Sequence, residues 1–110
     1  MYKGFGGMGG GNMQNLMRQA QKMQEEMIKK QQEAEEKLES TVLSASSGGG
    51  MVTVEITGSK KITAVKINPA AVDPDDVEML EDMVLACVNE ALAKADELEK
   101  ELKPNLLGGM

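Results

Sequence analysis

Ser47-Gly48-Gly49-Gly50 leads into a pair of alternating strands, and a long amphipathic helix flanks this block on each side. That layout leaves helices too long for so small a sheet. A compact core built from a chain of this length is only about 25–30 Å across. The first helix, from Met13 to Glu39, runs about 40 Å at about 1.5 Å per residue. It is expected to project from the body, and its apolar stripe needs a partner.

The stripe is Met13, Leu16, Ala20, Met23, Met27, Ala34 and Leu38, recurring at three- and four-residue steps. It is as narrow as a coiled-coil seam, and Lys30 and Lys37 stand where a strict heptad wants apolar side chains. Methionine in place of leucine makes the seam soft, suited to loose packing or to an adjustable binding surface; packing is the commoner use of such a stripe. Asn12 is placed to cap this helix.

Thr41 to Ser46 reads as a first strand. Met51 to Thr57 sets Val52, Val54 and Ile56 against Thr53, Glu55 and Thr57, and Ile62 to Asn68 alternates likewise. Period two marks half-buried antiparallel strands, joined by a hairpin over Gly58-Ser59-Lys60-Lys61 with Gly58 offered for a positive φ. In the second helix, Asp73 is expected to cap, Pro74 to take the first helical position, and Val72 and Val77 to form a hydrophobic staple. Val77, Leu80, Val84, Cys87, Ala91, Leu98 and Leu102 keep a helical period up to Pro104, making this helix the lid of the sheet.

The expected fold is therefore α+β: a long N-terminal helix, a three-stranded antiparallel sheet and a long C-terminal helix. Residues 1–11 read as a flexible glycine-rich leader, 12–103 as a single α-β-β-β-α domain and 104–110 as a loose tail in which Leu106 and Leu107 are free to dock.

Composition narrows the function. With no histidine, the usual neutral-pH general base and the commonest nitrogen metal ligand are missing, so no catalytic residue, metal ligand or cofactor is assigned and an enzyme is the weakest reading. The single cysteine, Cys87, fits a reducing compartment and lies on the apolar stripe, where packing explains it. No apolar run reaches the roughly 20 residues of a membrane span and no signal peptide is read, so a cytoplasmic protein is expected. Tyr2 and Phe5 are the only aromatics, which argues against stacking platforms for single strands. The glycine run lacks the Lys-Ser/Thr of a phosphate loop and precedes a strand, and Asp73, Asp75 and Asp76 lack the spacing of a calcium loop.

The net charge of −6 is unevenly spread. Residues 1–32 set Lys3, Arg18, Lys22, Lys29 and Lys30 against Glu25 and Glu26, a net of +3, whereas from Pro69 onward Lys94, Lys100 and Lys103 face eleven acids, a net of −8. At about 100° per residue, Arg18, Lys22 and Lys29 fall within about 40° of one another, nearly opposite the methionine stripe. Glu25 precedes Lys29 and Glu26 precedes Lys30 by four residues, the favourable order for neutralising pairs, which leaves Arg18 and Lys22 as the better phosphate contacts.

Asn15-Leu16-Met17-Arg18-Gln19-Ala20-Gln21-Lys22-Met23-Gln24, Ser47-Gly48-Gly49-Gly50-Met51-Val52, and Asp73-Pro74-Asp75-Asp76 followed by Glu78-Met79-Leu80-Glu81-Asp82-Met83-Val84 resemble the YbaB/EbfC nucleoid-associated proteins. The resemblance runs from about Asn12 to Lys103. It implies a homodimer with strands of both subunits in one sheet and helical arms like a pair of tweezers. It also implies a bacterial cytoplasmic protein that binds double-stranded DNA, associates with the nucleoid and influences transcription. The family carries no strict base-reading motif, so any sequence preference is expected to come from duplex shape or from side chains such as Gln14, Gln19 or Gln21 reaching into a groove. Arg18 and Lys22 lie within the matched segment, while Lys29, Lys30 and Lys3 are assigned on charge and position. Met13, Leu16, Met23 and Met27 form the dimer or partner seam, and the competing reading makes that seam a recognition surface for an unidentified protein partner.

Overall fold

The computed structural model describes residues 11–104. Residues 1–10 of the expected leader, with Lys3, and the tail leucines lie outside the described residues, while Gly11, assigned to the leader, is helical. The elements follow in the order α1 (Gly11–Ser40), β1 (Val42–Ser47), β2 (Val52–Thr57), β3 (Ile62–Ile67), a short 3-10 turn (Pro69–Ala71) and α2 (Val77–Leu102). The three strands form one antiparallel sheet in the order β1-β2-β3. This is the α+β fold expected from the sequence. The chain divides into two compact units, one ending at Glu33 and one beginning at Ala34.

In the second unit, β2 is central. Val52, Val54 and Ile56 are fully buried, and they meet Cys87, Ala91 and Ala95 of α2, which are also fully buried. The four-residue spacing of these three small side chains places them on one helix face and lets α2 sit close to the strand. Burying each of the three β-branched side chains contributes about 1.5–3 kcal/mol, so this contact dominates the core. Ala45 of β1, opposite Val54, completes it.

Register shows what α2 leaves open. Ile67 pairs with Val52, Val65 with Val54, and Ile62 with Ile56 across a bulge at Glu55/Ile56. Directly opposed residues point to the same side of a sheet, so these three belong to the core face. Yet Ile62, Val65 and Ile67 remain 42%, 49% and 39% exposed. The sequence pattern anticipated a half-buried β3; within one chain its apolar face is largely uncovered, because α2 packs on β1 and β2.

The turns depart from the sequence reading in three places. α1 begins at Gly11, so Asn12 lies inside the helix and does not cap it. α2 begins at Val77 with Asp76 as its cap, the Asp76 carboxylate accepting from Met79 N–H at 3.3 Å. Asp73 instead accepts from Asp75 N–H at 2.9 Å and closes a separate turn through Asp76 N–H, so Pro74 precedes the helix and Val77 occupies its first position rather than a staple. In the hairpin, Lys60 takes the positive φ of 71° and Gly58 does not. Gly58 answers a different demand: a Cβ there would lie 2.9 Å from the Leu38 carbonyl oxygen, Leu38 Cδ2 and Leu98 Cδ2.

Gly48, Gly49 and Gly50 turn β1 into β2 with three consecutive positive φ angles of 61°, 68° and 93°. Side chains are strained in that region, which is why the turn is written in glycine.

Candidate nucleic-acid interface

The first unit offers one long surface. α1 is a single helix of 30 residues, and residues 12–33 are exposed on every side. Its stripe divides in two: Ala34 and Leu38 are buried in the second unit, while Met13, Leu16, Met23 and Met27 remain 59%, 60%, 65% and 64% exposed. A row of apolar side chains exposed at that level is a surface that lacks its cover.

Across the helix from this row stand Arg18, Lys22 and Lys29, all exposed. Helical geometry sets Lys30 about 80° from Lys22, off this ridge and toward the methionine side. The described residues contain four ion pairs: Lys60 with Asp96 and with Glu99, Lys66 with Glu55, and Lys103 with Glu35. None uses Arg18, Lys22, Lys29 or Lys30. The neutralising Glu25–Lys29 and Glu26–Lys30 pairs that the spacing allowed are not formed, so these four cations are available to an external anion.

Four lysines of the second unit, Lys60, Lys66, Lys94 and Lys103, are committed elsewhere. Lys60 lies 2.7 Å from Asp96, whose hydrogen bond and charge raise the lysine pKa, and Lys60 in turn holds the Asp96 carboxyl below its ordinary range. Lys94 donates to the Ser44 carbonyl at 2.7 Å.

Asn15, Arg18, Gln19, Gln21, Lys22 and Glu25 line a shallow concavity of about 410 Å³ along α1. Asn15 was not among the residues expected to reach a groove; Gln19 and Gln21 were. The signal that finds Asn15 is its spacing, since 15, 18, 19 and 22 are i, i+3, i+4 and i+7 of one helix face.

A second concavity of about 450 Å³ lies beside the glycine turn, lined by Ser47, Gly48, Asp76, Glu78, Met79, Asp82, Met83 and Ala86. Its carboxylates repel phosphate, and the Ser47 hydroxyl is already spent, donating to the Met83 carbonyl at 2.6 Å. Among the described residues no cluster of three or more histidine, cysteine or acidic side chains is arranged to hold a metal, and no helix is long and apolar enough to cross a membrane.

Exposed cations on one face of α1 and a three-stranded α+β body are compatible with a small nucleic-acid-associated protein. The chain belongs to the YbaB/EbfC DNA-binding family, whose model matches residues 8–110. It is similar to a nucleoid-associated protein of Clostridium acetobutylicum, 50% identical over 107 residues, covering 97% of this chain and 92% of that one. A nucleoid-associated protein of Clostridium novyi is 54% identical over 108 residues, covering 97% of this chain and 91% of the relative. Among solved structures, the crystal structure of an uncharacterized protein from Helicobacter pylori matches with a TM-score of 0.72 at 27% identity, covering 82% of this chain and 95% of that one. The family is defined by DNA binding and not by an enzymatic reaction, and its relatives carry the name nucleoid-associated.

Proposed function

We propose that this chain is a nucleoid-associated protein that binds double-stranded DNA as a homodimer in the bacterial cytoplasm, chiefly through phosphate contacts from α1, and that it takes part in nucleoid organisation and gene regulation. The observation that carries the reading is the row of Arg18, Lys22 and Lys29, exposed on one helix face and free of ion pairs. Lys30 adds charge at the flank, and Lys3 is assigned to the same role from its sequence alone.

The homodimer reading is supported by the uncovered core-side residues of β3, Ile62, Val65 and Ile67, which a second copy of the sheet would cover. A dimer would carry about −12 in total, twice the chain's −6. Affinity is therefore modest, confined to the locally basic arms, and steeply weakened by salt.

The test is a titration of a fluorescent random duplex at several salt concentrations, with Arg18→Glu, Lys22→Glu as the comparison and light scattering to follow assembly. Salt-sensitive binding that the double variant abolishes without losing the dimer supports the reading. Unchanged affinity in the variant removes the site assignment. The exposure of Met13, Leu16, Met23 and Met27 favours a second reading, a seam for a protein partner. In that case Met23→Glu loses the partner while the affinity of the pure protein for DNA is unchanged.

A further inference from the structure

Phosphate binding accounts for the cations of α1 but not for the amides set among them. Asn15, Arg18, Gln19 and Lys22 occupy one helix face and line the same concavity. All four are exposed, and the side-chain hydrogen bonds of the described residues begin only at Lys37. Two unpaired amides thus stand between and beside two unpaired cations.

The chemistry of these amides matches one nucleic-acid feature closely. In the major groove adenine presents an N7 acceptor beside an N6 donor, and an asparagine or glutamine amide meets both with its own donor and acceptor. Guanine offers two acceptors there, which suits arginine or lysine better. A helix about 10–12 Å in diameter fits a groove about 12 Å wide. From Asn15 to Lys22 the axis advances about 10 Å, or about three base-pair steps. Asn15 and Gln19 are one turn apart, within reach of neighbouring base pairs; Gln19 stands at the edge of this face, about 40° from Met23, while Met13 and Met27 on the far side point out of the groove.

Resting on the DNA-binding reading above, we infer that α1 lies in the major groove, with Asn15 and Gln19 contacting adenine edges while Arg18 and Lys22 hold the flanking phosphates. Phosphate contacts alone fix position without reading sequence; the amides add a preference for adenine-containing sites.

The experiment selects duplexes from a randomised pool with the intact protein, then measures affinity for the selected and for an unselected duplex across a salt series. Asn15→Ala, Gln19→Ala is measured beside it. Alanine is the best helix former, so α1 is retained, which circular dichroism verifies. The expected result is an adenine-containing selected site bound at least about five-fold tighter than the unselected duplex, with the ratio falling toward one in the double variant and the salt slope unchanged. An unenriched pool together with salt-sensitive binding overturns the base-reading role and leaves the DNA function standing. A preference that survives the double variant overturns the assignment to these two amides. No binding at any salt overturns the DNA reading itself, and this inference with it.

Discussion

Replacing Gly58 by alanine tests the packing where the end of α1, the β2–β3 hairpin and α2 converge. The new Cβ would sit 2.9 Å from three atoms: the Leu38 carbonyl oxygen, Leu38 Cδ2 and Leu98 Cδ2. Relaxed carbon contacts lie near 3.5–4.0 Å, so each neighbour must retreat by about 0.6 Å or more. The leucine methyls have rotamers in which to do so, but the carbonyl belongs to the last turn of a helix. Moving it also strains the bond from Gly58 N–H to the Thr41 carbonyl, now 3.0 Å.

Overpacking of this kind costs about 1–3 kcal/mol. Alanine recovers about 0.4–1 kcal/mol by restricting the unfolded chain, leaving a net loss of about 1.3 kcal/mol at the middle of both ranges. At roughly 4–8 °C per kcal/mol for a domain of this size, the midpoint drops by about 5–10 °C. Urea and thermal melts followed by circular dichroism, at one fixed chain concentration because assembly shifts apparent stability, measure it. Gly49→Ala is the control, with no atom within 4 Å of its Cβ and a φ of +68°, so that backbone strain alone acts. A Gly58→Ala protein as stable as the parent refutes the argument.

Neutralising Arg18 and Lys22 with glutamine removes two cations per chain and four per dimer. The slope of log Kobs against log salt then becomes shallower by about 3.6, and an unchanged slope in a fluorescence anisotropy series contradicts the phosphate role. Val65→Glu places a charge on the uncovered face of β3 and is expected to halve the mass seen by light scattering; a persistent dimer moves the interface elsewhere. Asp96→Asn lowers thermal stability near neutral pH, because the raised pKa of Lys60 gives stabilisation present below 10.5 and lost as pH rises through its folded value. The lowered pKa of Asp96 gives stabilisation present above 3.8 and lost as pH falls through its folded value. The deficit of the variant therefore disappears in strong acid, and an equal deficit at about pH 3 and pH 7 refutes the ion pair as its cause.

Period located β2, β3 and the lid, because Val52, Val54 and Ile56 alternate without interruption and Cys87, Ala91 and Ala95 repeat every four residues, while β1 was legible as a short uncharged run, β-branched at its start. The start of α2 was not legible in the same way. Asp73 and Asp76 are both competent caps, and the choice depends on a turn closed by Asp73 that composition does not encode. Lys60 holds the left-handed position, and Gly58 answers a close approach of Leu38 and Leu98, a tertiary demand invisible in the hairpin sequence. Charge spacing found Arg18, Lys22 and Lys29 as one ridge. It overstated their neutralisation, since proximity at i+4 permits an ion pair without enforcing one on an exposed helix. Asn15 escaped notice because an amide carries no charge to count, whereas Gln19 was expected only as one of several glutamines able to reach a groove.

The buried thiol of Cys87 gives the protein its own gauge of opening. Its Sγ–H is 3.2 Å from the Ala45 carbonyl and the side chain is fully buried between α2 and the sheet. With one cysteine in the chain, each molecule modified by a thiol reagent registers a single separation of those layers, while fraying in the exposed part of α1 goes uncounted. Modification rates with and without duplex thus separate an event confined to the helical arm from one transmitted to the body, without any label being introduced.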